Sequence, residues 1–291
     1  MASIFKSTTL ALALLITPAL SVCGSYAFAQ DAVSKVAPAK VTAVAPDAPP
    51  SATGVGEVSR LAETLQRATE EVRRLQQRLP DWAAVTWYAE ENEKLGMPRP
   101  GERRVVFLGD SITHNWGNPK YTDYFQRPHK GFVPINRGIG GQNVAQMLLR
   151  LRPDVIDLQP KALVIFAGTN DLPTFKVPNV MKFIEDNFSS IFDLAEAHSI
   201  PVIICSVLPV NDAFTVRTAT RPPSQILELN QWLQQTAQRR GMLYVNFYSP
   251  LSDGKDRLRK ELTLDGLHPT SAGYSLMEPL IESAVLKVIS K

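Results

Sequence analysis

The sequence predicts an α/β protein, a three-layer α/β/α sandwich around a five-stranded parallel sheet of the flavodoxin type. Over residues 101–291, short runs that are apolar throughout alternate with longer segments of helical periodicity. Strands that are apolar on both faces are typical of parallel sheets buried between two layers of helices. The chain also has enough material for such a core, since 44% of its 291 residues are hydrophobic.

From the second predicted strand onward, each strand is followed by a predicted helix. The strands are expected over residues 104–108, 132–136, 162–166, 201–207 and 243–247. The helices are expected over residues 144–151, 180–197, 224–239 and 271–289. Helical crossovers bring the carboxyl ends of parallel strands to one edge of the sheet, where ligand sites of open α/β sheets lie. We therefore expect the functional site at that edge.

The first 29 residues have the layout of a secretory signal peptide. Lys6 supplies a basic head, residues 10–20 are apolar, and a small-x-small cleavage site ends at Ala29. The apolar run is too short to span a bilayer. We predict cleavage after Ala29, a secreted or periplasmic protein, and no stable membrane insertion afterwards. The alternative is a lipoprotein signal that uses Cys23, which the branched residue before this cysteine disfavours.

Two further segments precede the α/β domain. Residues 30–56 are dominated by Ala, Pro, Val, Ser and Thr and bury too little to offset their ordering entropy, so we predict a flexible tether. Residues 57–100 form a predicted helical extension, with apolar residues three and four apart over residues 58–79. This seam indicates either a helix packed along the α/β domain or a homodimer through residues 58–79. A second helix, capped by Asp81, is expected over residues 82–95.

Charge argues against a nucleic-acid partner, and cysteine content argues against an intramolecular disulfide. The net charge is +3 at pH 7 and no basic run is present, so we expect no nucleic-acid partner. Signal cleavage would leave Cys205 as the only cysteine, so no intramolecular disulfide is expected. Because Cys205 lies in the apolar fourth strand, we interpret it as a buried structural thiol.

Four polar blocks lie where the predicted fold places its functional edge. They are Gly109-Asp110-Ser111-Ile112-Thr113, Asn136-Arg137-Gly138-Ile139-Gly140-Gly141-Gln142, Gly168-Thr169-Asn170-Asp171 and Asp265-Gly266-Leu267-His268-Pro269. Each block alone is also an ordinary turn sequence. As a set they resemble the SGNH hydrolases, also called the GDSL esterases and lipases. The resemblance covers the chain from about residue 104 onward and implies a hydrolase of the SGNH fold.

The residues themselves suit nucleophilic catalysis by a serine. Ser111 needs a general base, and His268 is the best candidate, because Asp265 precedes it by three residues in a turn that contains glycine. That spacing could bring the carboxylate to the ring nitrogen that faces away from Ser111. The other histidines, His114, His129 and His198, are expected in a polar loop or at a helix end. The α/β-hydrolase fold shares the order Ser, Asp, His, but the turn at Ser111 lacks the second glycine of a nucleophile elbow.

The resemblance also implies three hydrogen-bond donors for the oxyanion of an acyl-transfer reaction. They are the backbone N–H groups of Ser111 and Gly141 and the side-chain amide of Asn170. Gln142 departs from the family pattern, because many members carry Asp or Asn after this glycine. We expect Gln142 to change the hydrogen bonding around the oxyanion hole without removing a donor.

The function predicted from these residues is hydrolysis of carboxylic esters with a short acyl group, such as acetyl, on a carbohydrate or small alcohol. The pattern is similar to secreted bacterial members and to the platelet-activating-factor acetylhydrolase branch of the family. No cofactor and no metal are expected. Substrate contacts are expected from the loops after the first and fourth strands, through Trp116, Phe214 and Arg217.

Three alternatives stay open at the level of sequence. One is a lysophospholipase or thioesterase of the same family, and another is a binding protein without catalysis. The third is a metal-dependent phosphoesterase with Asp110, Asn170, Asp171, Asp265 and His268 as ligands. This set contains only one histidine, which is few for such a metal site.

Overall fold

The computed structural model describes residues 60, 62–73, 81–175 and 177–290. The predicted signal peptide (1–29) and tether (30–56) lie outside these residues. The chain divides into two units, with the boundary between Ala68 and Thr69. Residues 62–73 are helical, as the spacing of apolar residues predicts. A homodimer through residues 58–79 stays a prediction.

Five parallel strands form one sheet in the order β2-β1-β3-β4-β5. The strands are β1 Arg104–Gly109, β2 Val133–Gly138, β3 Ala162–Phe166, β4 Val202–Cys205 and β5 Leu243–Val245. The central strands β1, β3 and β4 are buried along their whole length, as their apolar sequences predict. Gly109 at the end of β1 is in register with Gly138 of β2 and Phe166 of β3. The ends of these strands therefore meet at one place on the sheet edge.

Helices cover both faces of this sheet. They are α1 Ala89–Leu95, α2 Ser111–Trp116, α3 Val144–Leu149, α4 Leu151–Asp154, α5 Asp171–Thr174, α6 Val180–Ala197, α7 Pro223–Arg240, α8 Tyr248–Leu251 and α9 Ser271–Ile289, with 3₁₀ turns at Ile156–Leu158 and Lys260–Leu262. Apolar residues of α3, α6 and α7 pack with Val106 and Leu108 of β1. Residues of α2 and α9 pack with Val105 and Phe107, which point to the opposite face. The predicted three-layer fold is confirmed.

The segment before β1 differs from its prediction. A helix was expected over residues 82–95, but α1 begins only at Ala89. The Asp81 carboxylate instead accepts from the N–H groups of Val85 and Thr86 at 2.7 and 3.2 Å, which closes an irregular turn. A side chain that satisfies backbone donors this way competes with the helix. The helical prediction for residues 82–88 is therefore wrong.

Two further observations concern the whole described region. Cys205 is free and buried, as predicted, and burial raises the pKa of its thiol. Within the described ranges, no helix combines the length and apolar composition needed to cross a bilayer.

Candidate active site

A tight turn at the end of β1 delivers Ser111 to the sheet edge. Asp110 caps α2 by accepting from the Ile112 N–H at 2.9 Å, and Ser111 is the first residue of that helix. Only glycine fits at position 109, because a Cβ there would lie 2.1 Å from Thr113 Oγ1 and 2.7 Å from the carbonyl oxygen of Phe166. The close packing beneath the turn fixes Ser111 in a half-buried position at the edge.

The structure brings Ser111, His268 and Asp265 within hydrogen-bonding distance of one another, in that order. His268 Nε2 lies 2.9 Å from Ser111 Oγ, and His268 Nδ1 lies 2.9 Å from Asp265 Oδ2. The second carboxylate oxygen of Asp265 accepts from the N–H groups of Leu267 and His268 at 3.0 and 2.9 Å. These bonds fix the Asp265 carboxylate against the His268 ring.

The charge state of Asp265 decides the role of each ring nitrogen. Burial raises the pKa of Asp265, but hydrogen bonds from the backbone and ring of His268 outweigh it and hold the pKa below its ordinary value. An ionised carboxylate only accepts hydrogen bonds, so His268 Nδ1 donates to it. His268 Nε2 is then left with its lone pair toward Ser111, the arrangement of a general base.

The loop that carries the predicted oxyanion donor Gly141 passes beside Ser111 and is hydrogen-bonded to Asn170. A Cβ on Gly140 would lie 3.9 Å from the Cβ of Ser111, so the glycine pair passes next to the nucleophile. The Asn170 amide donates one hydrogen to the Gln142 carbonyl at 3.1 Å, which leaves the other available. The N–H groups of Ser111 and Gly141 have no acceptor among the residues that the structure describes. Each of the three groups is therefore available to donate, as the predicted oxyanion hole requires.

Arg221 lies on the loop after the fourth strand, from which substrate contacts are expected, but the structure gives it a different place. Its guanidinium is buried and donates to the Thr169 carbonyl at 2.8 Å and to Asn170 Oδ1 at 3.2 Å. A guanidinium cannot accept, so it must face the oxygen of the Asn170 amide. The Asn170 amide nitrogen is thereby turned away from Arg221. In the sequence, Arg221 is indistinguishable from the basic residues of an exposed rim.

The three residues predicted to contact substrate lie in different environments. Trp116 is 1% exposed and packs against Tyr124 and Tyr274 in the core, because the inner face of α2 carries it, so the predicted contact is wrong. Arg217 reaches the site, but its guanidinium binds Asp265 Oδ2 at 2.7 Å. Phe214 is exposed, with Lys260 Nζ 5.8 Å from its ring centre.

Two further carboxyl groups lie buried beneath the site. Burial raises the pKa of Asp110 to about 6 and that of Asp171 to about 7. Asp171 Oδ1 accepts from the Val144 N–H at 3.0 Å, while its other oxygen has no partner in the described part of the chain. Groups of three or more His, Cys, Asp or Glu residues able to hold a metal do not occur in the described ranges. The ligand set of the phosphoesterase alternative is therefore not assembled.

Comparison with known proteins agrees with this arrangement. The sequence model of the GDSL-like Lipase/Acylhydrolase family matches residues 107–276, which include all the polar blocks of the site. A solved structure from Bacteroides fragilis, of a protein named as an acylhydrolase, is 38% identical. It covers 72% of this chain and 98% of its own, with a TM-score of 0.64.

Two more distant relatives extend the comparison. A Streptococcus pneumoniae protein named for platelet activating factor is 23% identical, covers 75% of this chain and 98% of its own, and has a TM-score of 0.60, which shows a shared fold. The Bacillus subtilis protein named uncharacterized lipoprotein YqeF is 34% identical over 125 residues, 38% of this chain. The chain spans 50% of the length of that curated relative.

Proposed function

The chain belongs to the GDSL-like lipase/acylhydrolase family, and we propose that it is a serine esterase that hydrolyses carboxylic esters of short acyl groups. One observation carries the proposal. Ser111, His268 and Asp265 are joined by two contacts of 2.9 Å, in the order that nucleophile, base and orienting carboxylate require. Family membership alone supports hydrolysis of esters, and this geometry supports the serine mechanism.

The proposed mechanism has two halves. His268 Nε2 takes the proton of Ser111 Oγ while the oxygen attacks the ester carbonyl, and Asp265 stabilises the resulting imidazolium. The oxyanion accepts hydrogen bonds from the N–H groups of Ser111 and Gly141 and from the Asn170 amide. His268 then protonates the leaving alcohol. Water, activated by the same histidine, releases the acid and restores Ser111.

The proposed substrate is an acetyl or similarly short ester of a carbohydrate or small alcohol. Its acyl carbonyl would lie against Gly140 and Gly141, which are exposed beside Ser111. One observation favours a lysophospholipase or thioesterase as the second candidate. Exposed apolar side chains, Phe214, Val216 and Leu264, lie on the 211–221 loop and next to Asp265, where a longer acyl chain could pack.

Export is a further part of the proposal. Cleavage after Ala29 would release a soluble enzyme, whereas lipidation of Cys23 would anchor it, and the relative named a lipoprotein makes the second route worth testing. Mass spectrometry of the mature amino terminus decides between them. A chain that begins at Gln30 supports cleavage after Ala29, and a lipidated cysteine at the amino terminus supports anchoring.

The proposed activity is tested by hydrolysis of p-nitrophenyl acetate, butyrate and octanoate, with and without EDTA. A short-chain serine esterase hydrolyses acetate with the highest kcat/KM and is unaffected by the chelator. A kcat/KM that rises steadily from acetate to octanoate supports the second candidate. Loss of activity in EDTA contradicts the metal-free serine mechanism.

A further inference from the structure

Gln142, the residue that departs from the family pattern, is buried in a network behind the oxyanion hole. Its side-chain amide donates to the Ala83 carbonyl at 2.7 Å, and its side-chain oxygen accepts from Arg150 Nε at 2.5 Å. Its backbone carbonyl accepts from the Asn170 amide at 3.1 Å. Both polar atoms of the Gln142 side chain therefore form hydrogen bonds. Gln142 follows Gly141 in the chain, and its side chain contacts the segment before β1.

Arg150 connects the same network to the nucleophile turn. Its side chain is 0% exposed. It donates to the Gly109 carbonyl at 3.1 Å and pairs with Asp154 at 2.9 Å. Gly109 precedes the turn that carries Ser111, so one guanidinium contacts both the strand end behind the nucleophile and the glutamine behind the oxyanion loop. A shift of Arg150 would move both.

Residues 81–95 support this network from outside. Besides the Ala83 contact, Asn92 donates to Asp154 at 2.7 Å and Tyr88 Oη donates to the carbonyl of Gly138 at 2.5 Å. Asp154 is thus held from two sides, by Arg150 and by Asn92. Residues 81–95 precede the region that the family model matches. They form hydrogen bonds with the residues behind the proposed oxyanion hole.

We propose that Gln142 is a positioning residue, which ties the oxyanion-hole loop to residues 81–95 and thereby sets the direction of the Gly141 N–H. The inference rests on the proposed esterase function. Gly141 has φ of +79° and no atom within 4 Å of its Cβ position, so its own packing does not fix it. A neutral amide can donate to Ala83 and accept from Arg150 at once. A side chain one methylene shorter reaches only one of them, which explains the glutamine.

The test replaces Gln142 by Met, which keeps the length and removes both hydrogen bonds. The matched control is Gln146→Met, because Gln146 donates to the Trp82 carbonyl of the same segment at 2.7 Å but contacts neither Arg150 nor Asn170. We expect kcat for p-nitrophenyl acetate to fall about 10- to 100-fold in Gln142→Met, with KM within about twofold. The control should keep kcat within about twofold of the wild-type protein.

A tetrahedral mimic separates positioning from general destabilisation. The inhibition constant of a trifluoromethyl ketone, whose hydrate oxyanion occupies the hole, should rise in proportion to the loss of kcat/KM in Gln142→Met. An unchanged kcat, an unchanged inhibition constant, or an equal loss in Gln146→Met overturns the inference. If Gln142→Met does not fold, Gln142→Asn gives the same readouts, since it keeps a neutral amide that is one methylene too short to hold both Ala83 and Arg150.

Failure of the inference is distinct from failure of the proposed function. Ser111→Ala is assayed beside these variants. If Ser111→Ala keeps activity, the serine esterase proposal falls and the positioning role falls with it. If Ser111→Ala is inactive while folded Gln142→Met retains the wild-type kcat, the esterase proposal stands and only the inference is overturned.

Discussion

Replacing Arg221 by Met removes the group that orients the Asn170 amide. Arg221 donates to Asn170 Oδ1 at 3.2 Å and to the Thr169 carbonyl at 2.8 Å. Without it, the amide of Asn170 is held only by its hydrogen bond to the Gln142 carbonyl, and an amide that rotates turns its oxygen toward the developing oxyanion. Loss of one oxyanion donor costs about 2.7 to 4 kcal/mol, a factor of about 10² to 10³ in kcat. We expect Arg221→Met to lose up to that amount.

The variant also affects stability, for a separate reason. The Thr169 carbonyl would lose its partner in a buried position, at a cost of about 1 to 3 kcal/mol in the free energy of unfolding. Arg104→Met is the matched control, because Arg104 is a buried arginine that donates to the backbone carbonyls of Leu95, Gly96 and Met97, at the opposite end of β1. It should lose stability and keep kcat.

A double-mutant cycle isolates the contact between Arg221 and Asn170. Steady-state kinetics on p-nitrophenyl acetate are compared for Arg221→Met, Asn170→Ala and the double variant. If the arginine acts through Asn170, the double variant should be no slower than Asn170→Ala, so the coupling energy should equal the whole effect of Arg221→Met. Additive losses would refute this reasoning and indicate that Arg221 acts on catalysis independently.

Three further predictions concern the residues around the site. Asp171→Asn should raise the free energy of unfolding at pH 8 and leave it unchanged near pH 4. Burial raises the pKa of Asp171 to about 7, so the stability that the protonated carboxyl group contributes is lost as pH rises through 7. The loss is at most about 4 kcal/mol. Chemical denaturation at both pH values measures this, and a difference that does not change with pH contradicts it. Gly266→Ala should lower the free energy of unfolding by more than about 1 kcal/mol and remove most of kcat, because φ is +89° and a Cβ would lie 2.0 Å from the Asn211 carbonyl oxygen. The control in thermal denaturation is Gly254→Ala, where φ is +79° but the Cβ would have open space, and it should keep kcat. Arg217→Met should lower kcat/KM by less than about fivefold, because the partly exposed ion pair of Arg217 with Asp265 contributes at most about 1 kcal/mol. A larger loss in the esterase assay would show that Arg217 also binds substrate.

The sheet was predictable because its signals are local. The apolar runs of β1, β3 and β4 can be recognised from consecutive residues alone, and the structure buries them between the two helical layers. The start of α1 was not predictable in this way. Asp81 suits a helix cap and a turn equally well. The turn is favoured by hydrogen bonds that the carbonyls of Trp82 and Ala83 accept from Gln146 and Gln142, which are distant in sequence.

The site was predictable where residue chemistry is unusual and was missed where it is common. Ser111, Asp265 and His268 stand in a recognisable set of motifs. Arg150 follows two leucines in a helical pattern and resembles a solvated charge, yet it is buried against Asp154, Gln142 and the carbonyl of the distant Gly109. Burial of a charged group is decided by partners that tertiary structure supplies, and a single sequence does not contain that information.

The measurement that tests the central claim most directly is labelling with a fluorophosphonate, followed by peptide mass spectrometry. The wild-type protein should gain one covalent adduct, on the peptide that contains Ser111, with loss of esterase activity at the same rate. Ser111→Ala should gain none, and His268→Ala should react far more slowly, because the serine lacks its base. An adduct on another serine, or esterase activity that survives in Ser111→Ala, would contradict the account.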